Sequence, residues 1–519
     1  MMIRFLLLLL AAGIAAADDP KCQAVSKLAL KDATFAAEEV SGAFTPPGAA
    51  QPIANLPAFC RVYGSLKPSA DSDIKFEVWL PAGATWNGKF QGIGNGGFAG
   101  AIGFGQLADA VKHNYASAST DTGHEAGGVD GRWANGHLEK IVDYGHRAIH
   151  ETAVAAKAII RAYYGSAPKK SYFSSCSNGG RQALIEAQRY PEDYDGVIAG
   201  APAANLIPLV SEFAANIKAQ LSDPANSIPP VKIRVIEAAV LEACDANDGV
   251  KDKVVDVPTR CDFKPDVLLC KGEDSNSCLT APQIASLKTI YAGLKNGKGE
   301  AVYPGFSVGG ETGPGGWNAW ITGQSAQFQF ATNFYKYFVY GNPDWDFKTF
   351  TFEKDYKVAE DKLARILNAV DPDLKKFAAR GGKLILYHGW SDAAIPPVAT
   401  INYYQSVKAK MGEKPAEAFT RLYMVPGMQH CGGGPGPSAF GQGGVANADA
   451  DRDVAAALER WVEQGTAPGP IVATKFKGAG PASGVERTRP LCPFPQEAKY
   501  KGSGSTDDAA NFSCAVAPK

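Results

Sequence analysis

Three residues, each in a turn-forming context, could together carry out acyl transfer. They are Ser177 in Ser175-Cys176-Ser177-Asn178-Gly179-Gly180, Asp392 in His388-Gly389-Trp390-Ser391-Asp392, and His430 in Pro426-Gly427-Met428-Gln429-His430-Cys431. A serine hydroxyl is a weak nucleophile until a histidine takes its proton. The histidine in turn needs a carboxylate to orient its ring and stabilise its cation. Taken singly, each has a plainer reading: Asp392 as a loop cap, His430 as a structural imidazole, and residues 171–189 as an ordinary strand, loop and helix. The serine context is the most specific of the three. A β-prone run, 171–175, meets a glycine-rich turn, and helix-compatible residues follow through Arg189. A strand, tight turn and helix with serine at the apex lifts the hydroxyl above a sheet and offers the next amide to a developing oxyanion. The usual pattern is G-x-S-x-G, and here Ser175 stands where the first glycine would be.

The elements that must position these residues follow from periodicity. Residues 73–80 alternate polar and apolar and read as a half-buried strand. A second strand, 89–93, runs into the glycine-rich loop 94–100, where backbone amides can approach a ligand closely. That loop is a source for a second oxyanion donor, Gly97 rather than Gly96. It fits neither a Walker loop nor G-x-G-x-x-G. A strand over 115–119, a long helix over 144–164 and a buried strand over 194–199 complete an alternating β–α rhythm, which implies a mostly parallel α/β sheet. From 203 to 375 the alternation stops, and the segment reads as a lid inserted over the sheet. Strands at 383–387 and 421–425 and a helix over 451–463 resume the pattern. Asp392 and His430 then fall in loops at the carboxyl ends of successive strands. The order serine, aspartate, histidine is that of α/β-hydrolases. The expected organisation is a catalytic α/β-hydrolase domain from 18–202 and 376–519, with a lid domain at 203–375.

Composition excludes several function classes. The 519 residues are 45% hydrophobic and 20% charged with a net charge of −1, and no long basic or acidic run suggests nucleic acid or a membrane surface. Residues 1–17 read as a signal peptide, with Arg4 before an apolar stretch and Ala15-Ala16-Ala17 as a small-residue cleavage site. The protein is therefore expected to be secreted, periplasmic or extracellular. Ten cysteines suit that compartment. Sequence alone does not determine their connectivity. Close spacing suggests Cys244–Cys261, Cys270–Cys278 and Cys492–Cys514, and Cys22–Cys60 would clip the N-terminus. Cys176 and Cys431 then remain, each adjacent to a candidate catalytic residue. Without a C-x-x-C or a histidine cluster, a metal–thiolate site is the weaker alternative.

The turn at 176–180, Gly389-Trp390-Ser391-Asp392-Ala393-Ala394-Ile395-Pro396 and Gly427-Met428-Gln429-His430-Cys431 resemble the tannase/feruloyl esterase family, which also contains mono(2-hydroxyethyl) terephthalate hydrolases. The resemblance spans essentially the whole mature chain. It implies a Ser177–Asp392–His430 triad joined by a Cys176–Cys431 disulfide, an oxyanion hole from the amides of Gly97 and Asn178, and an acyl-enzyme route on aromatic acid esters. His388 is read as structural. A second candidate site is the acidic run 244–254. By spacing it is not an EF-hand, and a solvated acidic loop is its plain alternative. The resemblance implies a structural calcium ion in the lid, held by the side chains of Asp245, Asp248 and Asp252 and the carbonyls of Val250 and Val254. Trp317, Trp320, Phe328, Phe330, Phe334 and Tyr335 are candidates for an aromatic wall in the lid. The lid arginines Arg234, Arg260 and Arg365 do not announce a site for a terephthalate carboxylate, so ferulate or gallate esters are the favoured substrates. A non-catalytic polyphenol- or carbohydrate-binding relative is the rival of a different class, and a peptidase or acyltransferase the catalytic one.

Overall fold

Strands covered by helices on both faces are buried along their whole length, and where they carry polar residues these are small. Residues Gly196–Gly200 and Ala116–Thr120 are buried throughout. The computed structural model describes residues 20–516; the signal segment read over 1–17 lies outside the described residues. Its strands up to the last one of the central sheet begin, in chain order, with β1 Ala33–Phe44, β2 Ile53–Leu66, β3 Ile74–Pro81, β4 Lys89–Ile93, β5 Ala116–Thr120, β6 Lys170–Cys176 and β7 Gly196–Gly200. A short lid hairpin follows, β8 Leu294–Lys295 and β9 Ala301–Tyr303, and then β10 Lys383–Gly389 and β11 Thr420–Val425. Nine of these form one sheet in the order β1-β2-β3-β5-β4-β6-β7-β10-β11. From β5 to β11 every neighbour is parallel. On the other side β1, β2, β3 and β5 pair antiparallel. The loops after β4, β6, β10 and β11 therefore leave the sheet at one carboxyl edge, where open α/β sheets place ligands.

Two differences from the periodicity reading have physical causes. β3 is not half-buried: of its eight residues only Lys75 is exposed. Glu77, 2% exposed, mimics a polar face but is neutralised there. Arg61 of β2 donates to it from Nε at 2.9 Å, and Trp79 donates from Nε1 at 2.9 Å. The long strands β1 and β2 were not expected from the sequence, because neither keeps a regular alternation of buried and exposed residues. They form an antiparallel edge, and Cys22–Cys60 ties the N-terminal helix to β2.

Between β7 and β10 the chain is mainly helical, with helices at Leu206–Leu221, Pro230–Cys244, Ala281–Ala292, Ala326–Asn333 and Lys357–Leu367. Local signals for these exist. Thr280 and Gln283 form a capping box, and proline occupies one of the first two positions in two of the helices. Their apolar faces share a core that also takes in Phe98, Tyr144 and Ala393–Ile395 from the loops of the sheet. The insertion thus packs directly on the carboxyl edge. All five disulfides pair as the spacing and the resemblance suggest, and no free cysteine remains among the described residues.

Candidate active site

The turn after β6 holds Ser177 at φ 67° and ψ −126°, a conformation a non-glycine residue seldom adopts. Its amide donates to the Gly200 carbonyl of β7 at 2.9 Å, and the helix Asn178–Arg189 starts at once. The missing first glycine is compensated by two others. A Cβ on Gly179 would lie 1.9 Å from Ser175 Oγ and one on Gly94 2.8 Å from it, so the hydroxymethyl at 175 fills space those glycines leave open.

Three loops bring the remaining groups together. His430 Nε2 lies 2.9 Å from Ser177 Oγ, and His430 Nδ1 lies 2.8 Å from Asp392 Oδ2. A carboxylate can only accept, so Nδ1 carries the ring proton and Nε2 is free to accept from the serine. Asp392 is 2% exposed and fully engaged. Its Oδ1 accepts from the amides of Ala394 at 2.7 Å and Ile395 at 3.0 Å, and its Oδ2 also faces His388 Nε2 at 3.1 Å. Burial pushes this carboxyl up, but the charge of His430 and the hydrogen bonds from His388 and His430 outweigh it and hold the group well below the usual carboxylate range. Cys176 and Cys431 are bonded with Cα atoms 6.0 Å apart, so the backbones on either side of the serine–histidine contact are covalently tied. Gln429 extends the tie to the lid, donating to the carbonyls of Gly310 and Thr312 at 3.1 and 2.7 Å.

Gly97 sits at φ +58°, where a Cβ would meet the Gly128 carbonyl at 2.3 Å, so only glycine fits. Gly97 and Asn178 line the same cavity as Ser177; Gly96 does not. Sequence reasoning missed the two residues that link them. Tyr144 Oη lies 2.8 Å from the Gly97 carbonyl and 3.0 Å from Asn178 Oδ1. Arg181, 0% exposed, donates from Nε to Asn178 Oδ1 at 2.8 Å and from its other nitrogens to the carbonyls of Gly145, Leu367 and Tyr144. The available signal was an arginine in the first turn of the helix that follows Ser177.

The cavity beside Ser177 is about 60 Å³. Its walls include Leu209, Val210, Phe213, Trp320, Phe330 and Ile395, and no charged side chain lines it. Of the six lid aromatics singled out from sequence, Trp320 and Phe330 line it. The Trp320 ring lies edge-to-face on His430 with centroids 5.0 Å apart. Trp317 packs on Tyr291, Phe328 on Phe347 and Tyr335 on Trp345, and Phe334 backs the wall residue Phe98; none of the four lines the cavity. Arg260 pairs with Glu497, and neither Arg234 nor Arg365 lines the cavity. A larger hollow of about 430 Å³, bounded by Trp390, Phe494 and Asp256, touches none of Ser177, Asp392 and His430.

A family model described as tannase and feruloyl esterase matches residues 60–515. The chain belongs to the tannase and feruloyl esterase family. It is 43% identical to an uncharacterized esterase of Xanthomonas campestris pv. campestris, over 96% of this chain and 92% of the relative. The crystal structure of an esterase from Aspergillus oryzae superposes with a TM-score of 0.89 at 30% identity, covering 96% of this chain and all of that one. Feruloyl esterase B from the same organism gives 0.87 at 30% identity, covering 96% and 99%. The chain is accordingly a carboxylic ester hydrolase of this family with an α/β-hydrolase fold.

In this esterase the acidic loop is a built feature of the insertion. Asp245 is buried, and its Oδ1 accepts from the amides of Asp252 and Lys253 at 3.1 and 2.9 Å. Asp248 Oδ1 accepts from Val250 N and Asp252 Oδ1 from Val254 N. Asp252 Oδ2 also takes Arg487 Nη1 at 2.8 Å and Arg489 Nη2. Asp256, absent from the sequence reading, is buried with Oδ1 unpartnered. Burial and the neighbouring Asp248 push its carboxyl well above the ordinary range. The set is hard, oxygen-rich and electrostatically crowded, which suits calcium. It is grouped rather than closed, for the carboxylates of Asp245, Asp248 and Asp252 do not all lie within 4.8 Å of one another. Among the described residues, Cys270, Asp274 and Cys278 meet that distance, but those two cysteines are joined in a disulfide. No helix among the described residues is long and apolar enough to cross a membrane.

Proposed function

We propose that this esterase is an exported serine hydrolase of aromatic, phenolic acid esters, feruloyl esterase in type, working through an acyl-enzyme. The observation that carries the reading is His430 held between Ser177 Oγ and Asp392 Oδ2 beside an apolar cavity. In this reaction Ser177 Oγ attacks the ester carbonyl while His430 Nε2 takes its proton, and Asp392 stabilises the imidazolium. The amides of Gly97 and Asn178 receive the oxyanion. His430 then returns the proton to the leaving alcohol, and a water repeats the sequence to release the acid. The acyl ring would lie against Trp320, Phe330 and Phe213, where stacking and area burial reward an aromatic group.

The uncharged lining argues against a terephthalate monoester, whose free carboxylate would be buried unpaired. Three galloyl hydroxyls would meet a smaller cost of the same kind, against a single hydroxyl on a methoxylated cinnamoyl group, which is therefore the better fit. The names of the feruloyl esterase relatives support the same choice. Calcium, where bound, would supply a fixed positive charge to the crowded loop of Asp245, Asp248 and Asp252 and the carbonyls of Val250 and Val254, ordering the lid without entering the reaction. Five disulfides and the apolar leader of residues 1–17 support export.

The test is a turnover panel of methyl ferulate, methyl gallate and mono(2-hydroxyethyl) terephthalate, run on the parent and on Ser177→Ala. Ferulate should give the highest kcat/KM, and Ser177→Ala should lose turnover with its thermal transition nearly unchanged. Preference for the terephthalate monoester would overturn the substrate class, and turnover by Ser177→Ala would overturn the nucleophile.

A further inference from the structure

Asp392 Oδ2 is shared by two imidazoles, and the triad reading uses only one of them. His388, at the end of β10, is 0% exposed. Its Nε2 lies 3.1 Å from Asp392 Oδ2 and 3.1 Å from the Ile395 carbonyl. Both of those atoms can only accept, so Nε2 must carry a proton. Its Nδ1 lies 2.7 Å from Thr400 Oγ1, on the helix Pro397–Met411, and a threonine hydroxyl can donate to it. The ring is thus held at both nitrogens, in a tautomer set by its neighbours. The titratable groups facing Asp392 include His388 from β10, His430 from the loop after β11 and the buried hydroxyl of Tyr303 from β9.

We propose that His388 is a positioning residue of the esterase reaction, which acts by donating its Nε2–H to Asp392 Oδ2. The inference rests on the triad reading given above. Two effects follow from the geometry. The amides of Ala394 and Ile395 fix only Oδ1. The donor from His388 on Oδ2 stops the carboxylate plane from turning and keeps that oxygen aimed at His430 Nδ1. The same donor also draws charge from Oδ2. Asp392 then stabilises an imidazolium at His430 less strongly than a carboxylate with no such donor would, which eases return of the proton to the leaving alcohol. A packing role would need the ring's volume but not its Nε2–H.

The experiment compares His388→Leu, which keeps bulk and removes the donor, with His388→Gln, whose side-chain amide can place a donor near the same point. His388→Leu should lower kcat by about tenfold with KM within about twofold, the scale of one lost hydrogen bond to a charged group. The acid limb of its kcat/KM profile should move to higher pH by about half a unit or more. His388→Gln should recover most of the rate and return the limb. A folded His388→Leu with the parent's kcat and limb would overturn the proposal, as would His388→Gln being as impaired as His388→Leu. If His388→Leu does not fold, Thr400→Val decides the matter. Freeing Nδ1 should move the limb in the same direction by less, and an unmoved limb overturns the proposal. Turnover by Ser177→Ala, measured alongside, would instead sink the triad reading itself.

Discussion

Replacing Cys176 and Cys431 together by serine removes the link between the backbones of Ser177 and His430, the proposed nucleophile and its base, and its cost can be worked out. The bridge closes a loop with a sequence separation of 255. In the chain-entropy model such a loop is worth about 5.5 kcal/mol at 25 °C. The internal bridges Cys244–Cys261 and Cys270–Cys278 shorten it by 17 and 8 positions. Because the dependence is logarithmic, this lowers the figure by only about 0.1 kcal/mol. The value is a ceiling, since measured gains range from about 0 to 5 kcal/mol. The kinetic cost is separate. Ser177 and Cys431 both hold positive φ, 67° and 62°, conformations that persist only where the surroundings enforce them. Relaxing either loop by about 1 Å costs on the order of 100-fold in rate. The assay is denaturant unfolding of the double variant together with kcat on an aromatic ester at a temperature where the fold persists. The expectation is a loss of about 3–5 kcal/mol and a fall in kcat larger than the change in KM. Unfolding within about 1 kcal/mol of the parent, together with an unchanged kcat, would refute the view that this bridge holds the catalytic pair.

Three further outcomes are expected. Gly97→Ala must push a methyl group to within 2.3 Å of the Gly128 carbonyl at positive φ, and so displaces the proposed oxyanion donor. Its kcat should fall by about 10²–10³-fold with KM little changed, and parent-like kcat would remove Gly97 from the oxyanion hole. Exhaustive chelation should lower the melting temperature, with restoration by calcium but not by magnesium; no shift would reduce the loop at 245–254 to a plain acidic turn. Glu311, buried in the insertion with Oε2 unpartnered, has its carboxyl pushed up to about 7 by burial. Its folded form therefore keeps a proton that the unfolded chain has lost, so its contribution to stability is full at acid pH and falls away as pH rises to about 7. Glu311→Gln should flatten that part of the stability profile, from about pH 4.5 up to about pH 7, and an unchanged slope would show that Glu311 is ionised in the fold.

The chemistry was more legible in the sequence than its setting. Ser177, Asp392 and His430 each sit in a turn written by local residues, and such turns encode their own backbone path. Gly94 and Gly179 make room for Ser175, so even the departure at the first glycine position can be understood from neighbouring residues once the turn is built. Cysteine spacing worked for the same reason, since four of the bridges join nearby positions and the fifth flanks two recognisable turns. The alternating pattern of the parallel strands was equally local. β1 was not, because an edge strand faces water on much of its surface and loses the apolar signal; β2, paired on both sides, buries Leu56, Phe59, Val62 and Leu66 without a regular alternation. β3 misled because Arg61, from another strand, neutralises its buried glutamate.

By itself, then, the sequence determined which residues could react, which turns present them and which family they resemble. Only the tertiary structure decided that Trp320 and Phe330 face the cavity while Trp317, Phe328, Phe334 and Tyr335 pack elsewhere. It alone joined Tyr144 and Arg181 to Gly97 and Asn178, and set His388 on the Asp392 carboxylate. The reason is physical. A turn is specified by the φ/ψ preferences of adjacent residues, whereas a cavity wall or a shared hydrogen-bond acceptor is specified by which distant faces pack together. An aromatic or imidazole side chain reads the same in sequence whichever face it ends on.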